Sequence, residues 1–579
     1  MPERVAGQAR PTRWAAVGAA GLVLAPVVVA IWVLPWFVTQ DGPAHVYNAH
    51  VLLDLAQRGE ASPYAWAYEA RWQPLPNWAG HLALMGLMTV GPARVADRVL
   101  MTATLVLPVW MVLRLCRRVF GREPGAEIGL GAAALALNFL WLLGFYSFLL
   151  GVAVMLATWS HAWRGWSSGR MGWGWAAGLA GWVVVGYGCH PVSLGLMAMG
   201  LLVVGVLGGA EGRGRRLLWT VVGLLPLGPL GLVYRALMTG GGEIRPIWAN
   251  LQGETWLAAV LNQVIWIDPI SVAKRDRVPG LGWTGNWAGL LAPVVWLGLG
   301  LGAVVIGRQP RRGTPGLAWL VFGGVLLASG LAAPDTVGPG HGNYLGQRVA
   351  WAGLLGILVG VAGAEVRRGA WWVRAGGIAL GVAGLLQAIT VVEYGVETDR
   401  RVGAYLAAGE RLEAERRIAG LVLNGVSAFR ANGLWHADTL LGVGTGRVVW
   451  SNYESGHYYF PVRIRRGVKH PPAEVFEWVS RLDAPEEQGE RVALWSRVLE
   501  RYGSEIDGLV IWGRDEAVEA VTRRWFEPVG EPGPARAWRK VVRAAGEALP
   551  ERPPGEIERN EKGLRNFRTE RTVVGEKRS

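Results

Sequence analysis

Cysteine is nearly absent from this chain of 579 residues, which contains only Cys116 and Cys189. Two cysteines cannot form the disulfide framework of a small secreted domain, and no Cys-x-x-Cys or mixed Cys/His spacing typical of a zinc site occurs. The topology predicted below places the two thiols near opposite membrane faces, so we expect no disulfide between them. The sequence therefore excludes a disulfide-stapled scaffold and a zinc-finger protein.

Charge is also scarce: only 18% of the residues are charged, against about 25% in a typical soluble domain. Hydrophobic residues make up 51%, and apolar runs recur from the N-terminus to about residue 391 and then stop. The 83 glycines, about twice the usual share, let membrane helices approach closely, and the 32 tryptophans fit interfacial belts. This pattern predicts a polytopic membrane protein with a water-soluble C-terminal part.

The net charge of +14 could indicate a nucleic-acid partner. The basic residues, however, cluster in short loops between the apolar runs, where the positive-inside rule places them in membrane proteins. We therefore expect membrane lipid, and no nucleic acid, among the partners.

The N-terminal basic residues set the orientation of the first helix. Arg4, Arg10 and Arg13 precede an apolar run at 14–38, which is long enough to cross a bilayer since a crossing takes roughly 20 apolar residues. The N-terminus is therefore predicted to be cytoplasmic, with Asp41 on the outer side.

The next basic cluster, at 114–122, also belongs inside, so only one of two apolar runs before it can cross. The run at 78–90 is too short to span comfortably, so we expect 99–115 to cross. The segment 39–96 then forms a first outer loop, in which 78–90 lies in the membrane interface as a helix.

Continuing in the same way gives about eleven spans, the last at 371–391. The residues from 392 onward would then be outside. Every strongly basic loop falls on one side, and every loop rich in Asp, His, Tyr and Asn falls on the other, although only Lys and Arg were used to fix the topology. The polar outer connections are those near 39–50, 144–147, 188–191 and 334–344.

The C-terminal part is predicted to be a small folded α/β domain at 392–547. Helical periodicity is found at 402–421 and 517–526, whereas 447–450 and 509–512 are typical of strands. Residues 548–579 are charged and poor in large apolar side chains, which indicates disorder. The fold class is therefore an all-α polytopic membrane bundle, residues 1–391, followed by a soluble α/β domain and a charged tail.

The first outer loop opens with the polar sequence Asp41-Gly-Pro-Ala-His-Val-Tyr-Asn48. A carboxylate at the end of a membrane helix is costly to desolvate and usually has a function, although Asp-Gly-Pro is also ordinary turn chemistry. If 43–50 is helical, Asp41, His45 and Asn48 lie on one face, at spacings of four and three.

This layout resembles the lipid-sugar-dependent glycosyltransferases of the GT-C fold, among them the protein mannosyltransferases and the aminoarabinose transferases. In that class the first outer loop carries the catalytic aspartate and has short interfacial helices before the second span. The segment 92–99 is similar to the start of that span. The resemblance covers roughly 10–390 in layout but only 41–50 and 91–99 in motif. Asp-Gly-Pro-Ala-His differs from the usual acidic pair of the mannosyltransferases, since a histidine stands four residues after the aspartate.

The resemblance implies a sugar donor on a polyprenyl phosphate, in a bacterial inner membrane, with the reaction on the periplasmic side. Asp41 would be the base that takes the proton of an acceptor hydroxyl, and the anomeric centre would invert. The acceptor would be a glycan, a lipid or a protein. The departing phosphate needs cations, and arginine matches phosphate with paired donors. The predicted substrate-binding residues are His45, Asn48, His190, His341, Tyr344 and Arg348.

Each of these residues also has an ordinary structural interpretation. Arg348 would be an interfacial anchor that snorkels to headgroups, and His190 would close a turn between two spans. No cofactor is predicted with certainty, although Asp335 and His341 could join Asp41 and His45 in holding a divalent metal ion. In the tail, the aromatic and polar stretches 435–438 and 451–459 would bind an acceptor glycan or simply form loops.

Two other functions compete with the transferase. A transporter or flippase of lipid-linked glycans would place polar groups near the bilayer midplane and show internal repeats, whereas here these groups gather at one face. A polymerase or ligase of surface polysaccharide would rely on outer arginine and histidine and not on an aspartate in the first loop.

Overall fold

The computed structural model describes residues 14–209, 212–238, 246–248, 255–273, 287–309, 315–337, 343–363, 365–366, 371–482 and 487–541. The expected site residue His341 and the expected disordered tail 548–579 lie outside these ranges. Most described residues are helical up to residue 410, and helices and strands alternate afterwards.

Within the described ranges, sixteen α-helices precede the C-terminal sheet. They are α1 (Ala15–Val33), α2 (Gly42–Arg58), α3 (Ala79–Met88), α4 (Ala93–Phe120), α5 (Ala126–Ala136), α6 (Phe139–Leu142), α7 (Tyr146–Ser168), α8 (Trp173–Cys189), α9 (Pro191–Leu207), α10 (Arg213–Leu224), α11 (Leu227–Leu237), α12 (Trp256–Ile267), α13 (Trp287–Gly307), α14 (Pro315–Ala332), α15 (Leu345–Ala362) and α16 (Trp371–Glu410).

Six helices within the described ranges are long and apolar enough to cross a membrane. They are Ala15–Val33, Ala93–Phe120, Arg213–Leu237, Pro315–Ala332, Leu345–Ala362 and Trp371–Glu410. The membrane bundle is thus confirmed, whereas the number eleven stays a prediction, because several other apolar helices are shorter than a bilayer requires. The predicted helix at 78–90 is present as α3.

The glycine excess has a direct use in helix packing. A Cβ atom on Gly323 of α14 would lie 2.5 Å from the backbone nitrogen of Ile357 in α15, and one on Gly353 would lie 2.6 Å from that of Leu327. Such distances exclude any side chain, so the two helices approach backbone to backbone. Cys116 and Cys189 are both buried free thiols, as expected.

The helix α16 corrects two expected boundaries. The sequence predicted a span ending at 391 and a separate helix at 402–421, but α16 runs unbroken from Trp371 to Glu410, and 417–422 forms a strand. The change from apolar to charged residues after Val391 does not end the helix, because no proline follows and Glu397 pairs with Arg401 one turn later at 2.6 Å. The expected domain boundary at 391/392 therefore falls inside a continuous helix.

The C-terminal α/β fold is confirmed. Its five-stranded sheet has the order β5-β4-β7-β9-β8, in which β4 runs parallel to β5 and β7, and β9 runs antiparallel to β7 and β8. The strands are β4 (Arg417–Val422), β5 (Val448–Val449), β7 (Gly508–Trp512), β8 (Phe526–Val529) and β9 (Ala535–Lys540), and the helices are α17 (Glu474–Arg481), α18 (Gln488–Tyr502) and α19 (Glu516–Thr522). The strand β8 begins where the helix predicted at 517–526 was to end.

The first outer loop and the C-terminal part share one hydrophobic core. Tyr47 and Leu52 of α2, and Tyr64 and Tyr68 beyond it, are buried together with residues of the sheet. The tyrosine hydroxyls bond backbone carbonyls of the C-terminal part, as Tyr68 does with Val449 at 2.9 Å. Strand β1 (Tyr68–Ala70) also pairs with β6 (Val462–Ile464). The remaining short strands, β2 (Arg308–Gln309) and β3 (Glu365–Val366), pair with each other.

Candidate active site

Asp41 is the N-cap residue immediately before α2, and its side chain is not used to cap the helix. Its backbone N–H donates to the carbonyl of Leu143 at 3.1 Å, which fixes the residue against the break between α6 and α7. Burial raises the pKa of the carboxyl group to about 7, although His45 opposes the rise and Glu454 adds to it. A carboxyl group that titrates near neutral pH and has no structural hydrogen bond to a helix end is suited to proton transfer.

The turn that carries Asp41 is held by close packing. A Cβ atom on Gly42 would lie 2.5 Å from the hydroxyl of Thr39 and 2.8 Å from that of Tyr146, so only glycine fits. The Tyr146 hydroxyl donates to Asp97 at 2.8 Å and also contacts the Thr39 hydroxyl at 3.1 Å. Asp97 belongs to the start of α4, the segment in which the sequence resembles the GT-C class. This network connects α4 and α7 to the turn before α2.

His45, one turn after Asp41, binds the soluble part of the chain. Its Nδ1 contacts the Glu454 carboxylate, and its Nε2 donates to the carbonyl of Gly144 at 3.1 Å. The other oxygen of Glu454 accepts from Nε2 of His81 at 2.8 Å. A carboxylate with no exposed surface thus joins two histidines, one from α2 and one from the interfacial helix α3.

The pKa shifts in this trio follow from opposing effects. Burial favours the neutral form of Glu454, but His81 and His45 outweigh it and hold the pKa at about 2. Burial would also lower the pKa of His45, but Glu454, Asp41 and the Gly144 carbonyl together raise it. Both ring nitrogens of His45 face acceptors, so His45 is an imidazolium that balances the charge of Glu454.

The same trio is able to hold a metal ion. One ligand atom from each of His45, His81 and Glu454 lies within 4.8 Å of the others, and Nδ1 of His81 is buried with no hydrogen-bond partner. Imidazole and carboxylate ligands suit Zn²⁺ and similar divalent ions. The sequence had suggested Asp335 and His341 as the companions of Asp41 and His45; Asp335 is absent from this trio, which is the only such group in the described residues.

His436 faces Asp41 from the C-terminal part. Its Nε2 lies 3.6 Å from Asp41 Oδ1, which is too long for a hydrogen bond. Its ring packs against Tyr453, with centroids 4.4 Å apart. Burial lowers the pKa of His436 to about 4, despite the opposing charges of Glu477 and Glu454, so the imidazole is neutral at neutral pH.

Arg348 lies at the start of α15, buried and without a carboxylate partner among the residues that the structure describes. Its Nη1 lies 2.9 Å from Nε2 of His190, its guanidinium stacks 4.4 Å from the Phe145 ring centroid, and its Nε has no partner. His190 caps α9, because its Nδ1 accepts from the backbone N–H of Val192 at 3.1 Å. A neutral imidazole accepts on only one nitrogen, so the two contacts of His190 compete and Arg348 is left short of acceptors.

Tyr459 connects the two halves of the site. Burial raises the pKa of its hydroxyl, Asp41 and Glu454 raise it further, and Arg348 opposes them. The charges of Asp41 and Arg348 also act on each other. The Asp41 carboxylate and the Arg348 guanidinium are therefore close enough to interact electrostatically, and both act on the half-buried hydroxyl of Tyr459.

The other expected residues have less direct positions. The Asn48 side chain exchanges a pair of hydrogen bonds with that of Asn452, each 2.9 Å, so its amide fastens α2 to the C-terminal part. Tyr344 adopts a positive φ of 57° before α15 and packs its ring on Phe139 and Phe145. The geometry thus favours positioning roles for Asn48 and Tyr344, while a role in binding substrate stays a prediction for both.

Sequence reasoning did not single out His81 or Glu454, and it treated His436 only as part of a polar stretch. Glu454 lies 409 positions from His45, a separation that no local pattern reveals. A weak signal existed for His81, since a histidine is unusual in an apolar interfacial helix.

No protein-family model matches this chain, and no curated protein matches it. Among solved structures, ArnT from Cupriavidus metallidurans bound to undecaprenyl phosphate is similar over 92% of this chain and 100% of its own, with a TM-score of 0.46 and 14% identity. The apo state of the same protein is similar over 91% of this chain and 98% of its own, with a TM-score of 0.39 and 14% identity. Likeness at this level assigns neither activity nor residues, so the function rests on the geometry of the site.

Proposed function

We propose that this protein is an integral membrane glycosyltransferase that moves a sugar from a polyprenyl-phosphate donor to an acceptor on the outer, periplasmic side of a bacterial inner membrane. The observation that carries the proposal is that two groups contact the same break between α6 and α7, where the Asp41 N–H donates to Leu143 and the Arg348 guanidinium stacks on Phe145. Asp41 is a carboxyl group with a pKa of about 7, and Arg348 is a buried guanidinium with an unused donor. A base and a phosphate-binding cation are the two groups that such a transfer needs.

In the proposed step, the Asp41 carboxylate takes the proton of the acceptor hydroxyl as its oxygen attacks the anomeric carbon of the sugar. The bond from that carbon to the phosphate oxygen breaks, and the electron pair leaves with the phosphate. With one carboxylate acting on the acceptor and no covalent intermediate, the anomeric centre inverts. His436, neutral and facing Asp41, limits how the carboxylate can turn.

Arg348 is proposed to bind the donor phosphate. The guanidinium stacks on Phe145, and its unused Nε–H is available to a phosphate oxygen. Arg348 and the Val192 N–H compete for the one acceptor nitrogen of His190. A phosphate oxygen would give Arg348 an acceptor of its own without displacing any carboxylate. Where a divalent ion occupies His45, His81 and Glu454, it would supply further positive charge near the site.

Transport is the second candidate function, and one observation argues against it. Asp41, Asp97 and Arg348 lie at or near the ends of helices, on the side that the sequence predicts to be outer, and not at the mid-helix positions where a transporter binds its cargo. A flippase also has no need of a carboxyl group that titrates at neutral pH.

The test uses two substitutions with separate readouts. Asp41→Asn removes the base and keeps the shape, so release of undecaprenyl phosphate from polyprenyl-phosphate pentose and hexose donors should fall at least about a hundredfold. Binding of undecaprenyl phosphate to the purified protein in nanodiscs should be unchanged. Arg348→Gln should instead weaken that binding by about tenfold or more, because a charge-assisted phosphate contact is lost.

The matched control is Asp54→Asn. Asp54 lies on α2, the helix that follows Asp41, and it pairs with Arg58 at 3.3 Å. This variant should keep full transfer activity. Wild-type transfer by Asp41→Asn would overturn the proposal, and movement of lipid-linked sugar without any transfer product would favour a flippase.

A further inference from the structure

A second polar pocket lies at the far end of the bundle from Asp41. It is lined by Trp163, Trp166, Ser167, Val204, Gly208 and Arg216. The helix α9 begins beside the candidate active site, where His190 caps it, and ends beside this pocket, 17 residues and about 25 Å away. The pocket is therefore near the opposite membrane face, which the sequence predicts to be the cytoplasmic one.

Arg216 is the main polar group of this pocket. The residue is 9% exposed, its Nη2 donates to the carbonyl of Gly209, and its Nε is buried with no partner. No carboxylate pairs with it among the residues that the structure describes. A buried guanidinium that lacks an anion is costly, so an anion in the pocket would be strongly favoured.

Further donors lie around the same space. Trp166 is 9% exposed, and its indole N–H has no partner. The Ser167 hydroxyl is the third donor, held only by a long contact of 3.4 Å to the carbonyl of Arg164. Among the described residues, the lining thus offers a guanidinium, an indole N–H and a hydroxyl and no acidic side chain, a set that suits a phosphate oxyanion.

The surroundings place this pocket at the depth of lipid headgroups. Tryptophan rings gather there, with Trp163 and Trp166 at 6.0 Å and the exposed Trp173 against Trp219 at 5.2 Å. Such aromatic belts mark the membrane interface. The exposed side chains of nearby basic residues add a positive field; these are Arg164, Arg170, Arg213 and Arg215.

We propose that the pocket of Arg216 and Trp166 binds the phosphate group of an anionic phospholipid from the cytoplasmic leaflet. The headgroup phosphate takes the free Nε–H of Arg216 and the indole N–H of Trp166, while its acyl chains run along the lipid-facing surface of α9 and α10. This site is separate from the proposed transfer chemistry and does not depend on it. It fixes α7, α9 and α10 to one another at the face opposite the active site.

The experiment measures binding to the full-length purified protein. Detergent micelles doped with phosphatidylglycerol should raise the Tm of the wild type, and native mass spectrometry should show one retained phospholipid. Micelles doped with phosphatidylcholine should have a smaller effect. Arg216→Gln should weaken retention by about tenfold or more, since it removes a charge-assisted contact. Trp166→Phe replaces the indole by a smaller aromatic ring, removes the N–H and should also weaken retention.

Arg213→Gln is the matched control, because Arg213 is on the same helix but exposed. It should retain phospholipid like the wild type, and an equal loss in Arg213→Gln and Arg216→Gln would overturn the proposal by showing a diffuse surface attraction. No response of the wild type to phosphatidylglycerol or to inorganic phosphate would also overturn it. A response to inorganic phosphate alone that Arg216→Gln abolishes would support the phosphate site and assign it to a soluble anion.

Discussion

Asp41 illustrates how a single residue is tuned by its position. Burial favours the neutral acid and the charge of Glu454 adds to this effect, whereas the charge of His45 favours the carboxylate. Because burial outweighs His45, the pKa rises to about 7, where a general base is most effective. A fully exposed aspartate at this place would be too weak a base at neutral pH.

The pH dependence of transfer follows from this balance. Since the pKa of Asp41 is raised to about 7, the base is protonated below that pH, and log kcat/KM should fall with a slope of one as the pH drops from 7 towards 5.5. Above pH 8 the rate should level off. Initial rates over pH 5.5–9 check this, with the Tm recorded at each pH as a control for unfolding. A rate that stays constant down to pH 5.5 would contradict the assigned base.

Glu454 is predicted to matter for stability. Glu454→Gln leaves the imidazolium of His45 buried without its counter-ion, so the free energy of unfolding at pH 7 should fall by about 3 kcal/mol. Because its folded pKa is depressed to about 2, the stabilisation is present above the unfolded pKa of 4.5 and is lost as the pH falls through 2. Thermal unfolding in detergent measures the change, and Glu69→Gln, which breaks an exposed pair with Arg463, should cost under about 1 kcal/mol.

Metal binding by His45, His81 and Glu454 is tested with a further variant, His81→Ala. If a divalent ion sits on the trio, the purified wild type contains bound metal, and a chelator lowers its Tm. His81→Ala should then contain less metal than the wild type and respond less to the chelator. Equal metal content in both proteins would assign the trio to ion pairing alone.

The site residues that the sequence predicts lie where the predicted topology concentrates polar groups. Asp41, His190 and Arg348 stand out because acidic and outer basic residues are scarce beside apolar runs. Glu454 and His81 do not stand out, since their importance comes from a contact between distant parts of the chain. The tuning of His436 likewise depends on burial that only the folded structure provides.

At the scale of the element, the turn between α1 and α2 depends on glycine. Gly42→Ala would place a methyl group 2.5 Å from the Thr39 hydroxyl and should displace Asp41, with a loss of about tenfold or more in kcat and about 1–3 kcal/mol in stability. Steady-state kinetics and thermal unfolding measure the two effects. Gly86→Ala in α3 meets open space and should change neither activity nor stability appreciably. Equal behaviour of the two variants would show that the turn tolerates a Cβ.

Element boundaries were predictable where a helix breaker marks them. Cys189-His190-Pro191 ends one helix and begins the next, as the glycine and proline around it indicate. The end of α16 was not predictable in this way, because hydropathy changes at residue 391 while helix propensity does not. Hydropathy indicates whether lipid or water surrounds a helix, but it does not indicate the residue at which the helix ends.

At the scale of the whole molecule, the outer loop and the C-terminal part form a single folding unit. Tyr47 and Tyr68 are buried against strands that follow them by almost 400 positions, and β1 pairs with β6. If the chain were divided into a membrane domain and an independent soluble domain, Tyr47 and Tyr68 on one part and the sheet residues on the other would be exposed to solvent.

We therefore expect that a fragment beginning at residue 392 does not fold alone. Expressed by itself, it should bind a hydrophobic dye and show a broad thermal transition, because the residues of α2 that complete its core are missing. Fusing residues 38–72 to this fragment through a flexible linker should sharpen the transition. A cooperative transition in the isolated fragment would show that the two parts are separable.

The class of fold was predictable, whereas the count of spans was not confirmed. Apolar runs and arginine loops identify a membrane bundle, but the short helices α5 and α3 leave open how many segments cross completely. The core shared by residues 38–68 and the C-terminal sheet could not be predicted from the sequence. Each of these two segments, taken alone, has the apolar and polar pattern of an ordinary amphipathic element.

The uninterrupted length of α16 also limits how the molecule can move. Forty residues in one helix make a rod of about 60 Å that starts among the membrane helices and ends against the sheet, where Tyr405 bonds the carbonyl of Val510 at 2.9 Å. A rod has no hinge, so the sheet cannot swing open while the bundle stays still. The distance between Asp41 and His436 is thereby set when the chain folds, so a ligand of this site would enter a space whose shape is already formed.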